Sequence, residues 1–348
     1  MLTHMTTAPA RTGQTPTLHD VAVAAGVSLA TASRVLNGSN RKVAESYRDR
    51  VQSAADRLGY TANVSAQATA RGTSPVIALL VADIADPYFG LIASGVTRGA
   101  EEQGLIVTIA VTERDAERER RTIRALRGQR PQGLIVAASR GQEDASTADE
   151  LSAFAALGSR VVGFGVNVVG DRVIHIDNVG GARLLGETMS RRGYRRAIVL
   201  AGAEGVRTSD DRLAGFREGF EADGGVVERV YRGGFSRESG VETMAAALAD
   251  GVEPGTLVFG MSDVVAVGAA TAVREVGRTV GSDVALCGFD DVPVASDVTP
   301  ALTTVRVPLS DVGYQAFRAT VDEEWEPVAQ PLEVIVREST PIPARAAG

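Results

Sequence analysis

Cysteine occurs once in this 348-residue chain, at Cys287, and lysine once, at Lys42. A single thiol cannot form an intramolecular disulfide, nor can it build a cysteine-based zinc site. Three histidines are present, His4, His19 and His175, too scattered in sequence to suggest a metal cluster. No bound metal and no cofactor are therefore expected. Apolar runs stay well short of the roughly 18–20 residues that a membrane-spanning helix needs. The first 16 residues carry Arg11, prolines and several threonines but no apolar stretch of the secretory kind. Residues 1–16 are expected to be a disordered tail, the protein cytoplasmic, and a membrane no part of its partners. Also missing are a Gly-x-Gly-x-x-Gly after the first strand and any Gly-x-x-x-x-Gly-Lys-Ser/Thr. Their absence argues against a dinucleotide site or a P-loop.

What is present describes a globular protein in more than one part. Hydrophobic residues make up 44% and charged residues 23%, enough to fill a core, and the length suggests two or three units. The net charge of −7 is unevenly spread. Residues 1–74 hold eight basic and four acidic side chains, a surplus of +4 that leaves −11 for the remainder. A cationic head on an anionic body suits a nucleic-acid-binding module joined to something that does not touch nucleic acid.

Residues 17–37 have the pattern of two short helices joined by a tight turn. Thr17 is a good N-cap, Gly26 supplies the left-handed residue that ends the first helix, and Ser28 caps a second helix running to Asn37. Val27, Ala32, Val35 and Leu36 recur at core-facing spacing, while Leu29, Ala30, Ser33 and Arg34 fall on the outer face. A third helix, from about Val43 to Leu58, supplies Val51, Ala54, Ala55 and Leu58, and presents Arg48 and Arg50 as phosphate contacts. This is helix-turn-helix spacing, in which the second helix enters the major groove. A generic helical hairpin is the plainer alternative.

The runs Thr17-Leu18-His19-Asp20-Val21-Ala22, Ala25-Gly26-Val27-Ser28 and Thr31-Ala32-Ser33-Arg34-Val35-Leu36-Asn37 resemble the signature of the lactose/galactose-repressor family of transcriptional regulators. The resemblance implies that Leu29 and Ala30, the two residues after the capping serine, read operator sequence. Neither can hydrogen-bond a base edge through its side chain, though each can touch a thymine methyl. Arg34 becomes the candidate for a bidentate contact to guanine, with Thr17, Ser28, Thr31, Ser33, Asn37 and Arg48 as further phosphate or base contacts. Residues 61–74 would then be the hinge helix, with Asn63 against DNA and Thr69 at the position of the minor-groove wedge. The family usually has Leu at the wedge and Pro where this chain has Ala62, so a weaker or shifted kink is expected. A short helix without its own apolar face is marginal in water, and a flexible linker is the alternative.

From Pro75 the rhythm becomes short apolar run, helical segment, short apolar run. The runs are Val76–Val81, Leu105–Val111, Gly133–Val136, Arg160–Phe164, Ala197–Leu200, Leu257–Phe259 and Val284–Phe289. Such a pattern predicts parallel sheets covered by helices on both faces. Ligands in these sheets bind beyond the carboxyl ends of the strands, here Asp83 to Phe89, Ala138-Ser139, Ser262-Asp263 and Asp290-Asp291. The family resemblance extends through Asp86-Pro87-Tyr88-Phe89, Asp177-Asn178, Arg212-Leu213-Ala214-Gly215-Phe216, Gly234-Phe235-Ser236, Gly288-Phe289-Asp290-Asp291 and Val336-Arg337-Glu338-Ser339-Thr340.

It implies a small all-α helix-turn-helix head over 17–60, followed over 75–348 by an effector-binding and dimerisation core. That core would be the periplasmic-binding-protein-like α/β fold, two doubly wound parallel-sheet subdomains linked by crossovers. Arg212 and Asp290 would be the main polar effector ligands, Phe235 a stacking wall, and Tyr88 and Phe89 the opposite wall, with Ser262 and Asp263 beside them. Arg212 and Asp290 could instead pair with one another as a structural bridge. Ser262 stands where the family usually has Asn, so the effector could be larger or different. Val206 and Thr208 also lead towards this cleft.

The expected function is a homodimeric repressor of a pseudo-palindromic operator on double-stranded DNA, controlled by a small molecule, most simply a carbohydrate. A nucleoside or purine co-repressor is the alternative within the same family. A transport-type sugar-binding protein would want an export signal and no basic head. An enzyme would want a catalytic set, whereas no serine–histidine pair is placed here, Asp290 and Asp291 are adjacent and expected to face apart, and His175 is expected in a strand.

Overall fold

A computed structural model describes residues 15–36, 43–61, 73–137, 145–165 and 172–343. Contacts divide the chain into two compact units, Met1–Ser74 and Pro75–Gly348.

In the first unit three helices form, α1 (Leu18–Ala25), α2 (Leu29–Leu36) and α3 (Glu45–Leu58). Thr17 closes a capping box with Asp20, each side chain accepting from the other's backbone. Gly26 ends α1 in the left-handed conformation, at φ 63°, where a Cβ would be strained. The core is small: Val21, Ala22, Ala25, Ala32, Val51, Ala54 and Ala55 are buried, with Leu18, Val27, Val35, Leu36, Leu58 and Tyr60 packed around them. Alanines at the crossings let the short helices approach closely, while valines fill what remains.

The second unit opens with β1 (Ser74–Val81), α4 (Pro87–Glu102), β2 (Ile106–Val111), α5 (Ala116–Gly128), β3 (Pro131–Val136), α6 (Ala145–Ala155), β4 (Arg160–Phe164) and β5 (Val173–Ile174). Among the described residues these strands make a sheet in the order β2-β1-β3-β4-β5. A second lobe follows with α7 (Asn178–Arg191), β6 (Arg196–Gly202), α8 (Arg207–Glu221), β7 (Val226–Gly233), α9 (Arg237–Ala249), β8 (Leu257–Gly260), α10 (Asp263–Glu275), β9 (Ala285–Cys287) and the short α11 (Val294–Asp297). Its sheet runs β7-β6-β8-β9, paired in parallel. Each order reverses direction beside the first strand, which is where α/β sheets open a ligand crevice.

The chain crosses between the lobes more than once. It leaves the first after β5. It returns through β10 (Thr304–Arg306) to α12 (Leu309–Val321), then leaves again through β11 (Glu333–Ile335), which pairs antiparallel with β10. Helix α12 packs on α4 of the first lobe at backbone distance. A Cβ at Gly95 would lie 1.8 Å from the Ser310 carbonyl oxygen, and one at Gly313 would lie 2.1 Å from that of Ile92. The last residues are tied to the second lobe, where Leu286 N–H donates to the Ser339 carbonyl at 3.0 Å and Ser339 Oγ accepts from Thr303 N–H at 2.8 Å.

Several details differ from the sequence reading. β7 is a full strand of eight residues that was not anticipated; it lies at a sheet edge, where exposure lets Glu228, Arg229 and Arg232 interrupt the apolar run. β5, β10 and β11 are too short to give a periodic signal. The run Val284–Phe289 yields a strand only over Ala285–Cys287, because the backbone turns at Asp290, φ 111°, and Asp291, φ 54°. His175 follows β5 rather than lying in it, and is exposed. Residues 1–14 of the tail expected over 1–16, residues 62–72 of the hinge expected over 61–74 (with Asn63 and Thr69), Asn37, and Ala138-Ser139 lie outside the described residues.

Candidate functional site

In the head, α2 presents Leu29, 49% exposed, together with exposed Ala30 and Arg34. Ala32 behind them is fully buried, so the helix divides into a packing face and an outer face at the expected positions. Ser28 and Thr31 are joined within the cap: Ser28 Oγ accepts from the Thr31 N–H at 3.1 Å, and the two hydroxyls lie 2.8 Å apart. Ser33 is half-buried, and Arg48 is exposed on α3. Arg50 differs from expectation. Its guanidinium donates to the Ala25 carbonyl and, at 3.1 Å, to that of Gly26. These acceptors are the unsatisfied carbonyls at the end of α1, so Arg50 braces the turn.

In the core, the carboxyl ends of the strands meet around a narrow cleft. Asp86 caps α4 by accepting from the Tyr88 N–H at 3.0 Å, and Pro87 occupies the first helical turn. The cap aims Tyr88 at the cleft and sets Phe89 beneath it, edge to face at 5.0 Å between ring centres. Phe89 is 2% exposed and belongs as much to the core as to the wall.

From the second lobe, α8 contributes Arg212 and the turn after β9 contributes Asp290. The pair is bidentate, Nη2 to Oδ1 at 2.7 Å and Nη1 to Oδ2 at 3.3 Å. Arg212 also donates from Nε to Asn178 Oδ1 at 2.8 Å and from Nη1 to the Met261 carbonyl at 2.8 Å. Its guanidinium lies 3.9 Å from the Phe289 ring centre. The two charges are 1% and 3% exposed. Burial pushes the Asp290 carboxyl up to about 6, opposed by the Arg212 charge and its hydrogen bonds. Each Asp290 oxygen accepts one bond from Arg212 and keeps lone pairs that could accept from a ligand hydroxyl. The bridge that the sequence left as an alternative is thus formed, and it lines the cleft as well.

Tyr88, Phe89, Arg212, Phe235, Ser262 and Asp290 are brought together round one small cavity, of about 20 Å³. Thr208, Asp86 and Arg114 share its lining. A neighbouring cavity of about 30 Å³ touches Tyr88, Phe164, Ile176, Asn178 and Thr208. Each has room for about one water. A larger space of about 260 Å³ lies away from these groups, between α12 and residues 325–330.

Two expected ligands are used locally. Ser262 Oγ accepts from the Val265 N–H at 3.4 Å and caps α10. Asp263 is not among the lining residues. One of its oxygens accepts from Thr304 Oγ1 at 2.6 Å and the other from the Val292 N–H at 2.9 Å. It ties β10 and the loop after β9 to α10, and burial, reinforced by Asp290, raises its carboxyl well above the usual range. Asp290 and Asp291 do face apart, since Asp291 binds Arg306 Nε at 2.7 Å and Arg337 Nη2 at 2.6 Å. Val206 is the cap residue of α8, with no side-chain cap bond.

Asn178 and Arg114 were not singled out as site residues. Asn178 could have been found from the Asp177-Asn178 pair at a helix start. Arg114 gave no signal, because a loop after a strand carries no periodicity.

A capped helix-turn-helix head and a two-lobed α/β core with a polar cleft define the class of two-part transcription regulators. Comparison with known proteins agrees. The model for bacterial regulatory proteins of the lacI family matches residues 17–63, and that for a periplasmic binding protein-like domain matches residues 187–340. The HTH-type transcriptional regulator CelR of Thermobifida fusca is 33% identical over 338 residues, spanning 93% of this chain and 98% of its own. A solved transcriptional regulator CelR–cellobiose complex superposes with a TM-score of 0.66 at 32% identity, covering 93% of this chain and 99% of that one. The lac repressor dimer bound to operator and the anti-inducer ONPF gives a TM-score of 0.79 at 25% identity, covering 94% and 100%. This chain belongs to the lacI family of bacterial transcriptional regulators. Among the described residues, no helix is long and apolar enough to cross a membrane.

Proposed function

We propose that this regulator represses transcription as a cytoplasmic homodimer on a pseudo-palindromic operator, and that a carbohydrate in the core cleft sets its DNA affinity. In this reading residues 17–60 contact DNA, 61–74 form the hinge, and 75–348 bind effector and dimerise. The protein performs no catalysis. The observation that carries the reading is the buried Arg212–Asp290 pair, flanked by Tyr88 and Phe235 at the mouth of a two-lobed cleft. A bidentate cation–carboxylate pair serves vicinal hydroxyls, and aromatic rings serve the apolar face of a sugar. The CelR complex holds cellobiose, and the lac repressor structure is a dimer on operator DNA; both support the assignment.

Cavities of about 20 and 30 Å³ are too small for a monosaccharide as they stand, and the proposal is that binding parts the lobes. An effector that binds only the parted form shifts the equilibrium between lobe arrangements, and by linkage the DNA affinity shifts with it. A thermal-shift screen of the full chain against mono- and disaccharides, nucleosides and purine bases tests this. A sugar should raise the melting temperature, and Asp290→Ala should abolish the rise. Hits confined to purines would replace the sugar by a base stacked on Phe235.

A further inference from the structure

The cleft contains a second cation with a different status from Arg212. Arg114 follows β2 and sits in the left-handed region at φ 59°, directly after Glu113 at φ 54°. Two successive non-glycine residues in that region are costly, and such strain gathers at binding sites. Its effect here is to carry a first-lobe guanidinium to within 5.5 Å of the ring centre of Phe235, a second-lobe residue. The side chain is exposed, and it lines the same small cavity as Arg212 and Asp290.

The two arginines differ in what they have left to give. Arg212 makes four hydrogen bonds, two to Asp290 and one each to Asn178 and the Met261 carbonyl, which leaves at most one of its five N–H groups for a ligand. Among the described residues Arg114 has no hydrogen-bond or ion-pair partner, only the Phe235 ring. Asp86 and Asp83 act on it at longer range, while the surrounding protein already pulls its pKa below the usual arginine value. A molecule lodged between the lobes would strip more water from this guanidinium. Removing water from an unpaired charge is costly, and an anion brought by the ligand offsets that cost with charge-assisted hydrogen bonds.

We infer that the effector is a polyhydroxylated molecule bearing an anionic group, a carboxylate or a phosphate, and that Arg114 binds that group while Asp290 and Arg212 hold the hydroxyls. The inference rests on the effector-cleft reading above. It also explains why Arg114 projects towards Phe235: the anion would lie where the lobes face one another, so that charge recognition and lobe arrangement are linked.

The test is calorimetry on the full-length chain at constant ionic strength with matched pairs: D-glucuronate and D-glucose, D-galacturonate and D-galactose, glucose 6-phosphate and glucose. The expected result is that an acidic member binds at least about tenfold tighter than its neutral parent, the value of one charge-assisted contact. Uronates and sugar phosphates distinguish the two sources of the anion. Arg114→Gln should bring each pair to within about threefold and Arg114→Lys should keep part of the preference, since a point charge remains without the planar fork. Equal or tighter binding of the neutral parents overturns the inference, as does a preference that survives Arg114→Gln. Failure of every acid to bind also overturns it. Neutral sugars that still bind in that case, and lose binding with Asp290→Ala, leave the effector reading standing; silence from both classes removes it too.

Discussion

The residues proposed to recognise DNA in the head and effector in the core lie at opposite depths. In α2 of the head, Leu29, Ala30 and Arg34 are exposed, and the residues behind them, Val21, Ala32 and Val51, are fully buried aliphatics. In the core, Arg212 and Asp290 rank among the most buried charges described, at 1% and 3% exposure. A polyanion as large as DNA is met at the surface by hydrated side chains that lose little by waiting in water. A small polar ligand has to be met by groups already dried and oriented, so that ordering them is not charged against binding. One consequence of these proposed roles is that recognition and folding separate in the head but are entangled in the core.

The largest expected effect tests that entanglement. Arg212→Ala leaves the Asp290 carboxylate buried without its cation, and the Asn178 and Met261 oxygens without a donor. The loss of core stability should be about 3–5 kcal/mol, measured by denaturant unfolding followed through Trp325, the only tryptophan in the chain. A loss below about 1 kcal/mol, the scale of an exposed pair, would put water at this site and dissolve the contrast with the head.

Next comes the head. Arg34→Ala should weaken operator binding by about 1–3 kcal/mol, the worth of a bidentate base contact, while the unfolding midpoint stays put. Gel-shift titration beside thermal melting checks both halves. Unchanged operator affinity would remove Arg34 from the reading set, and a lowered midpoint would show that the outer face of α2 also serves folding.

The smallest effect concerns a residue expected at the DNA that also has a folding role. Thr17 accepts from the Asp20 N–H and closes the capping box of α1. Thr17→Ala should cost the head about 1 kcal/mol, and Thr17→Ser should restore most of it. Helical circular dichroism during melting reads this. If the two variants melt alike, Thr17 serves contact rather than capping.

The fold was legible wherever local chemistry decides structure. Thr17, Gly26 and Ser28 announce their helix ends because capping needs those side chains and that backbone freedom. The apolar runs announce strands because a sheet covered on both faces excludes polar residues. β7 was missed for the converse reason, since an edge strand can carry Glu228, Arg229 and Arg232 without penalty. The core site was legible only through family resemblance to known motifs. Even then the bonds of Asp263 to Thr304 and Val292 were not legible, because adjacency to Ser262 in sequence says nothing about which way a carboxylate turns at the start of a helix.

The sequence by itself determined that there is a cationic helical head and an anionic α/β body, and which face of α2 is outward. Composition and short-range periodicity decide those matters within a few turns of chain. Only the tertiary structure decided that Arg212 meets Asp290 across 78 residues, that Asp263 holds β10, that Arg50 braces a turn, and that Arg114 reaches Phe235. Such pairings depend on which strand ends and loops the two sheets bring together, and no local preference of the chain encodes that meeting.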